Sequence, residues 1–317
     1  MKNRKISDRA LAHSLMTMLV IAWGFDYVPA KWALEVMTPE CLMFFKFSVG
    51  ALFIIPIWLL SKNKVLPRKK DIPIFIACAL FGQIGYFECE YNAMNLMPVA
   101  LITIILSFVP AVSIIIERIL YKRKANGKIY MGIAGCLIGI AMVVGVDLSI
   151  LTQGRGIGYL LAIGAVLCWN IYNFITAGLE RYDSLTLSMN QLICTSLMLI
   201  PAAVHSMPSA NAFSGLVVFG ILWIGVIDSA IGYLIVVYGL KVLGPTANSV
   251  YSNFLPVTTA FFGAVFLGEM ITPLQIAGGI IVVAAGYVVI REKGKLDEQR
   301  QGMNNDNVCD IIQSDKS

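Results

Sequence analysis

The sequence predicts an all-α membrane protein of ten transmembrane helices, arranged as two inverted five-helix repeats with both termini in the cytoplasm. The 317 residues are 58% hydrophobic and only 14% charged, and the mean hydropathy is +0.77. A soluble domain has about 25% charged residues and could not hide so much apolar surface. The apolar residues form successive long segments, and basic residues are concentrated in alternate connections between them. Together these observations exclude an ordinary cytosolic enzyme and a nucleic-acid binder.

Each apolar segment is long enough to cross a bilayer as a helix, which takes about 20 predominantly apolar residues. Charged clusters and Pro or Gly turns mark the boundaries between segments. Uninterrupted runs such as 129–146 and 185–204 have the length of helices, not of barrel strands, and lipid admits only these two structures. We place the ten spans at residues 11–33, 41–60, 73–92, 97–117, 129–147, 157–178, 185–204, 214–239, 245–267 and 272–290.

The basic residues predict the orientation of the chain. Nineteen Lys and Arg residues lie in the N-terminal tail, the even-numbered loops and the C-terminal flank, whereas the odd-numbered loops contain only Arg155. Loops rich in Lys and Arg stay in the cytoplasm, so both termini are expected there. Residues 1–10 and 291–317 are then cytoplasmic tails, and the polar second tail is expected to be disordered. We expect a multi-pass protein of a bacterial cytoplasmic membrane.

An internal repeat appears when the sequence is compared with itself at a shift of about 146 residues. The aligned features are Trp23 with Trp169, Tyr91–Ala100 with Tyr238–Ala247, Ser107–Pro110 with Asn253–Pro256, and Gly132 with Gly278. The repeats cover residues 11–147 and 148–290, with five predicted spans each. Because five is odd, the second repeat enters the membrane from the opposite side. This architecture is typical of secondary transporters, whose substrate site lies near the midplane between the repeats.

Several motifs carry a resemblance to a known family. They are W-G-F-D-Y-V-P-A-K at Trp23–Lys31, Lys46 early in the second span, Tyr91–Ala100, and F-L-G-E at Phe266–Glu269. With the length and the repeat, they resemble the ten-span EamA-type members of the drug/metabolite transporter superfamily, over residues 11–290. The resemblance implies secondary transport of small metabolites, often export, without an ATP site. In the first repeat Arg123 occupies the position equivalent to Glu269. The two repeats therefore do not share a glutamate at this position, and a role common to both repeats is not expected there.

Ionisable side chains inside a membrane cost about 2.5–3.5 kcal/mol each on insertion scales, so they usually face a cavity or a partner. Neutral amides and aromatic rings can add the polar ends and apolar walls of a small-molecule site. The ionisable candidates for substrate binding or coupling are Asp26, Asp228, Glu88, Glu90, Lys31 and Lys46. The neutral candidates are Trp23, Tyr91, Asn95, Trp169, Asn173 and Asn253.

Helical positions give these candidates different expected roles. Asp26 and Asp228 lie deepest in their spans, and no lysine is apparent at their depth. The two glutamates are two residues apart and point about 200° away from each other, so they cannot share one site. Lys31 and Lys46 lie near the outer ends of their spans, where snorkelling or structural ion pairs with the glutamates are expected. The acids are compatible with proton binding, substrate binding or structural pairing.

We expect a secondary active exporter of small metabolites, such as amino acids or related compounds, that works by alternating access. The excess of acids over lysines favours a proton as coupling ion or a substrate that carries an amine. Multidrug efflux of cationic lipophilic compounds is an alternative, and a non-transporting membrane protein is a further one. The sequence contains neither an H-E-x-x-H nor a G-x-S-x-G motif, so no enzyme, metal or cofactor is expected. The protein is expected to act in the bilayer as a monomer or a homodimer.

Overall fold

The protein is helical throughout the part of the chain that the structure, a computed structural model, describes. This part comprises residues 2–62, 65–97, 99–122, 124–144, 156–267 and 272–314, and no strand occurs in it. Arg123, Arg155 and Glu269 lie outside the described residues, so the departure between the two repeats at Arg123 stays a sequence observation.

The helices follow each other with short connections. The first half of the chain contains α1 (Lys2–Leu34), α2 (Pro39–Leu60), α3 (Ile72–Cys78), α4 (Tyr86–Met94), α5 (Val99–Leu106), α6 (Val109–Tyr121) and α7 (Gly127–Val144). The second half contains α8 (Gly156–Ala177), α9 (Ser184–His205), α10 (Gly215–Trp223), α11 (Tyr233–Leu243), α12 (Pro245–Ser249), α13 (Leu255–Leu267) and α14 (Pro273–Ser314).

Eight helical segments in the described part are long and apolar enough to cross a membrane, and Gly127–Val143 is a shorter apolar helix. The remaining predicted span, 245–267, is interrupted by a 3-10 turn at Val250–Phe254 between α12 and α13. Pro256 follows this turn, and a proline lacks the N–H that would continue an α-helical ladder. Large apolar side chains cover the outside of the helices; Leu60 is 85% exposed and Met131 is 75% exposed, as suits a surface that faces lipid.

The two halves share their helical irregularities in the register of the sequence repeat. A π-helical segment at Ala79–Gly85 joins α3 to α4, and another at Ile224–Gly232 joins α10 to α11. The break between α5 and α6 precedes Pro110, and the 3-10 turn precedes Pro256, which lies 146 residues later. Wide π turns often occur at functional sites, because they displace side chains from the regular helical positions.

Glycines allow the last helix of each half to touch the other through their backbones. A Cβ atom on Gly139 of α7 would lie 2.7 Å from the carbonyl oxygen of Gly278 of α14. The reverse substitution would bring a Cβ atom to 2.6 Å from the carbonyl oxygen of Gly139. Real Cβ atoms do not approach other atoms so closely, so only glycine permits this crossing.

The chain beyond Arg291 is helical where disorder was expected, because α14 continues to Ser314. Its first turns are held by charged side chains. The Lys293 ammonium lies 2.6 Å from Glu117 of α6 and 3.2 Å from Asp297, and both Lys293 and Glu117 are buried. A buried lysine requires such partners, and this pair fixes the start of the tail against the bundle.

A second polar cluster joins two connections and the end of α11. The Asp71 carboxylate, just before α3, accepts from the guanidinium of Arg181 and from the hydroxyl of Tyr182, both between α8 and α9. The Lys241 ammonium, near the end of α11, donates to the carbonyl oxygen of Tyr182. Asp71 and Tyr182 are buried, so this Asp71 cluster closes one end of the bundle between elements of both halves.

Gly139→Ala is expected to destabilise the protein by about 1–3 kcal/mol, because the new methyl group must push α14 away. Gly127→Ala, in the same helix, is the matched control: among the described residues no other helix lies within 4 Å of its Cβ position. Thermal unfolding of the purified protein in detergent, followed by tryptophan fluorescence, measures both. Equal midpoints for the two variants would contradict the close crossing.

Candidate functional site

The candidate site is a central cavity of about 90 Å³ between helices of both halves. A space of this size holds several water molecules or a small polar group, since one water takes about 10–15 Å³ on this measure. Seven of the twelve predicted residues line it: Trp23, Asp26, Lys46, Glu90, Tyr91, Trp169 and Asp228. It therefore collects acids, one base and aromatic rings that are far apart in the sequence.

Lys46 and Asp228 form a buried ion pair at this cavity. The Nζ atom of Lys46 lies 2.5 Å from Oδ2 of Asp228, and the side chains are 2% and 8% exposed. The ammonium also lies 3.4 Å from the centre of the Phe87 ring, a favourable cation–π distance. Of the two roles expected for Lys46, snorkelling or a structural ion pair, the structure has the ion pair, with Asp228 as its partner and not a glutamate. The expectation that Asp228 has no lysine at its depth is wrong.

Small residues explain how this pair forms. Gly225, in the second π segment, lies against α2, where a Cβ atom would come within 2.6 Å of the Val49 side chain. Gly50 leaves space for Ser229 in the same way, with a distance of 3.0 Å. This close approach brings Asp228 to α2. Sequence position alone gave the depth of each residue along its own helix but not the rotation of the π segment toward α2.

Asp26 has one satisfied and one unsatisfied oxygen. Its Oδ1 atom accepts a hydrogen bond of 2.6 Å from the indole Nε1 of Trp223. Its Oδ2 atom is buried and has no hydrogen-bond partner among the described residues. The charge of Asp228 repels that of Asp26, while Lys46 attracts it. Since a buried polar atom without a partner is costly, Oδ2 is a natural contact for a proton, a water molecule or a bound cation.

Glu90 faces the cavity with phenol groups as its direct partners. Its Oε1 atom accepts hydrogen bonds of 3.2 Å from Tyr27 and 3.3 Å from Tyr86. The charge of Lys46 also acts on Glu90, although no direct ion pair joins them among the described contacts. Glu90 thus interacts electrostatically with the ion pair, but its direct hydrogen-bond donors are neutral hydroxyl groups.

Aromatic rings form the walls of the cavity. Trp23 and Trp169, which the repeat aligns, meet edge to face with their ring centres 6.2 Å apart. Tyr86 and Tyr233 also pack on Trp169, at 5.1 Å and 6.3 Å. The indole nitrogen of Trp23 is buried without a hydrogen-bond partner in the described part of the chain. The walls therefore combine apolar area with donors that a ligand can use.

Five predicted residues lie away from this cavity. Glu88 is half-buried and accepts a 2.9 Å hydrogen bond from Asn92, in keeping with its rotation of about 200° from Glu90. Lys31 and Asn95 are exposed. Asn173 and Asn253 are fully buried, but they do not line the cavity.

Sequence reasoning missed four residues near the site: Tyr27, Phe87, Trp223 and Tyr233. Tyr27 follows Trp23 by four positions, so helical spacing could have placed it on the same face. Tyr233 lies five residues after Asp228, and these two share the cavity only because the intervening turn is π-helical. Its hydroxyl donates to the carbonyl oxygen of Gly82 in the other π segment, at 2.8 Å. No pattern in the sequence predicts the π-helical turn between Asp228 and Tyr233.

The cavity has three carboxyl groups, of Asp26, Glu90 and Asp228, and one ammonium group, of Lys46. With all four ionised its net charge is negative, in a region where water is scarce. An ammonium group or a proton reduces this negative charge, whereas a simple anion would add to the repulsion. The site therefore combines an excess of negative charge with apolar aromatic walls.

Comparison with known proteins assigns the chain to a family. A family model described as "EamA-like transporter family" matches residues 10–145 and again residues 156–291. The second match begins and ends 146 residues after the first, the same shift that aligns the two halves of the sequence. The family predicted from the sequence is confirmed by this match.

Related proteins cover most of the chain at low identity. A protein of Archaeoglobus fulgidus named as an uncharacterized transporter is 23% identical over 88% of this chain and 98% of its own length. A probable amino-acid metabolite efflux pump of Salmonella typhimurium is 22% identical over 86% of this chain and 93% of its own. A probable terminal-alkyne amino-acid exporter of Streptantibioticus cattleyicolor is 22% identical over 71% and 75%.

A solved crystal structure has the same fold. It superposes with a TM-score of 0.75 and covers 90% of this chain and 99% of its own, at 16% sequence identity. At this identity the likeness concerns the fold alone.

Lys46→Met is expected to cost about 3–5 kcal/mol of stability, because it leaves Asp228 buried without its counter-charge. The double variant Lys46→Met/Asp228→Leu is expected to recover most of this loss, since neither charge then remains. Thermal unfolding in detergent measures both effects. Lys31→Met, an exposed lysine on the neighbouring helix, is the control and should change little. A double variant no more stable than Lys46→Met would argue against the ion pair.

Proposed function

The chain belongs to the EamA-like transporter family, and on this basis we propose that it is a secondary active exporter of small metabolites that carry an amine, such as amino acids or related compounds. The observation that carries the proposal is the central cavity, in which three carboxyl groups, one lysine and an aromatic wall converge from both halves. The names of the Salmonella and Streptantibioticus relatives point to the same class of substrate.

We propose that the chain crosses the membrane ten times, with inverted halves and both termini in the cytoplasm. The eight long helices, the shorter α7 and the interrupted α12–α13 segment supply ten crossings in this arrangement. The paired π segments, the paired breaks before Pro110 and Pro256, and the two family matches support a repeat of one fold. The excess of Lys and Arg in alternate loops supports the orientation. The relatives, mostly bacterial, fit a bacterial cytoplasmic membrane.

Alternating access requires that one side of the cavity closes while the other opens. In the proposed orientation the Asp71 cluster and the Lys293–Glu117 pair lie at the cytoplasmic end. Both link connections or helices of different halves, so they would have to break for the cavity to open toward the cytoplasm. We propose that the structure is closed on the cytoplasmic side and that these contacts form the latch.

We propose that Asp26 and Glu90 take part in proton coupling. An empty cavity with three carboxylates and one ammonium retains an unbalanced charge, which opposes its reorientation through a region of low dielectric. A proton or the amine of a substrate reduces this imbalance by one charge, and a proton on each of Asp26 and Glu90 would remove it. A carrier of this kind would export an amine in one step and return with a proton in the next.

Reconstitution into liposomes tests the transport proposal. Vesicles that contain the purified protein are given an imposed pH gradient, and pooled amino acids and other amines are screened for movement while a trapped dye records the internal pH. We expect one class of amine to move with an accompanying proton flux. Movement without a proton flux would reject coupling but retain transport. No movement of any pooled compound would contradict the proposal.

Asp26→Asn and Glu90→Gln are expected to slow this transport at least about tenfold, or about 1.4 kcal/mol in activation free energy, because they remove the proposed exchange groups. Glu88→Gln is the matched control: it lies on the same helix as Glu90 but outside the cavity. Unfolding midpoints of all variants show whether the fold is retained. Equal losses in Glu88→Gln and Glu90→Gln would remove Glu90 from the mechanism.

Multidrug efflux is kept as a second candidate because of the aromatic walls around Trp23 and Trp169. Lipophilic cations included in the same screen distinguish the two candidates. Transport of these cations with no effect of amino acids would favour efflux of drugs over export of metabolites.

Asp71→Asn is expected to loosen the proposed latch, because it removes the counter-charge of Arg181. Hydrogen exchange should then become faster at the start of α3 and in the connection between α8 and α9. Lys70→Gln changes the adjacent, exposed residue and is the control. Unchanged exchange in Asp71→Asn would show that the cluster does not hold this end closed.

A further inference from the structure

A second cavity, of about 730 Å³, lies between α1, α13 and α14 and is separate from the central cavity. We call it the α1–α14 groove. The transport mechanism does not use it. Its walls are polar at one end and apolar at the other. On α1 and on α14, residues at regular helical spacing line the groove from one end to the other.

On α14, four residues at intervals of four positions lie along the groove: Val283, Tyr287, Arg291 and Lys295. Residues spaced by four share a helix face, so they form one stripe. The stripe is about 18 Å long at 1.5 Å per residue. The hydrocarbon of one leaflet is about 15 Å thick, half of the bilayer core. The stripe thus reaches from the membrane surface to the depth of one leaflet.

On α1, the facing stripe is Arg9, His13, Thr17 and Ile21, again at intervals of four. The two stripes are in register at their charged ends, since a Cβ atom on Gly294 would lie 2.9 Å from Nη2 of Arg9. Polarity therefore falls in the same direction along both walls. The floor is closed by a 2.7 Å hydrogen bond between Nδ1 of His13 and the hydroxyl of Tyr251.

Exposure shows which parts of the groove a ligand from the bilayer can reach. Ile21 is 48% exposed, Val283 is 52% exposed and Tyr287 is 61% exposed, and all three face outward from the bundle. Arg291 is exposed as well. Lys295 is about half exposed and lies 2.7 Å from Glu292, which is buried. An ammonium group has three N–H donors, so Lys295 can keep this pair and still contact a headgroup. No carboxyl group lines the groove among the described side chains.

We propose that the α1–α14 groove binds an anionic phospholipid of the surrounding bilayer. The phosphate and headgroup lie between Arg9, Arg291 and Lys295, and an acyl chain follows the apolar wall past Tyr287 to Val283 and Ile21. Charge complementarity selects an anionic lipid over a zwitterionic one, because basic pockets between membrane helices bind such headgroups. Tyr287 sits at the level between headgroup and chain, where amphipathic rings are favoured.

The experiment compares lipid binding to the purified full-length protein in detergent. Phosphatidylglycerol and phosphatidylcholine with identical acyl chains are added together, and native mass spectrometry records which lipid stays bound. We expect retention of phosphatidylglycerol. Arg291→Gln/Lys295→Gln should lower its preference about fivefold for each charge removed, from about 1 kcal/mol per basic residue near an anionic surface. Neither variant residue belongs to the proposed transport site.

Lys69→Gln/Lys70→Gln is the matched control, because it removes two exposed lysines elsewhere and changes the net charge equally. It should retain the lipid preference. Val283→Trp, which fills the apolar end, should weaken the binding of both lipids. Added inorganic phosphate should not displace the lipid, since the chain contributes to binding. An unchanged preference in Arg291→Gln/Lys295→Gln, or an equal loss in the control, would overturn the proposal. The readout does not depend on transport.

Discussion

The ion pair between Lys46 and Asp228 is the interaction on which the centre of the structure depends. It joins a helix of the first half to the irregular segment of the second, and it does so where water is nearly excluded. Either charge alone would be very costly there, so the pair obliges α2 and the second π segment to stay together. The close backbone contacts at Gly50 and Gly225 and the position of Asp26 and Glu90 around the lysine are all organised by this requirement.

The two halves repeat their shape but not their charge. The π segments, the helix breaks and the facing tryptophans recur at the 146-residue shift. The shift aligns Asp26 with Tyr172, Lys46 with Leu192, Glu90 with Val236 and Asp228 with Gly82. The charges of Asp26 in the first half and Asp228 in the second half act on each other, whereas the aligned pair, Tyr172 and Gly82, is a contact between a ring and a glycine. The two halves thus have similar backbone features, whereas the ionisable residues that line the cavity in one half are not repeated in the other.

The membrane character, the approximate limits of the helical segments and the family were predictable from the sequence, because they follow from hydropathy, charge and the order of motifs along the chain. The residues of the site were predictable only in part. Seven of the twelve candidates line the cavity, because ionisable side chains inside a membrane span usually face a cavity or a partner. The partner of Lys46 was not predictable, because it depends on a π turn that rotates Asp228 toward α2. The helical start of the C-terminal tail depends in the same way on Glu117, which lies 176 residues before Lys293.

The crossing of α7 and α14 at Gly139 and Gly278 limits the substitutions that this protein can accept during evolution. Elsewhere on these helices an outward apolar residue can be exchanged for another of similar character, because only lipid surrounds it. At the crossing, each glycine is confined by the backbone of the other, which no compensating side-chain change can move. Two positions far apart in the chain are therefore closed to almost every mutation, and they are closed for the same reason.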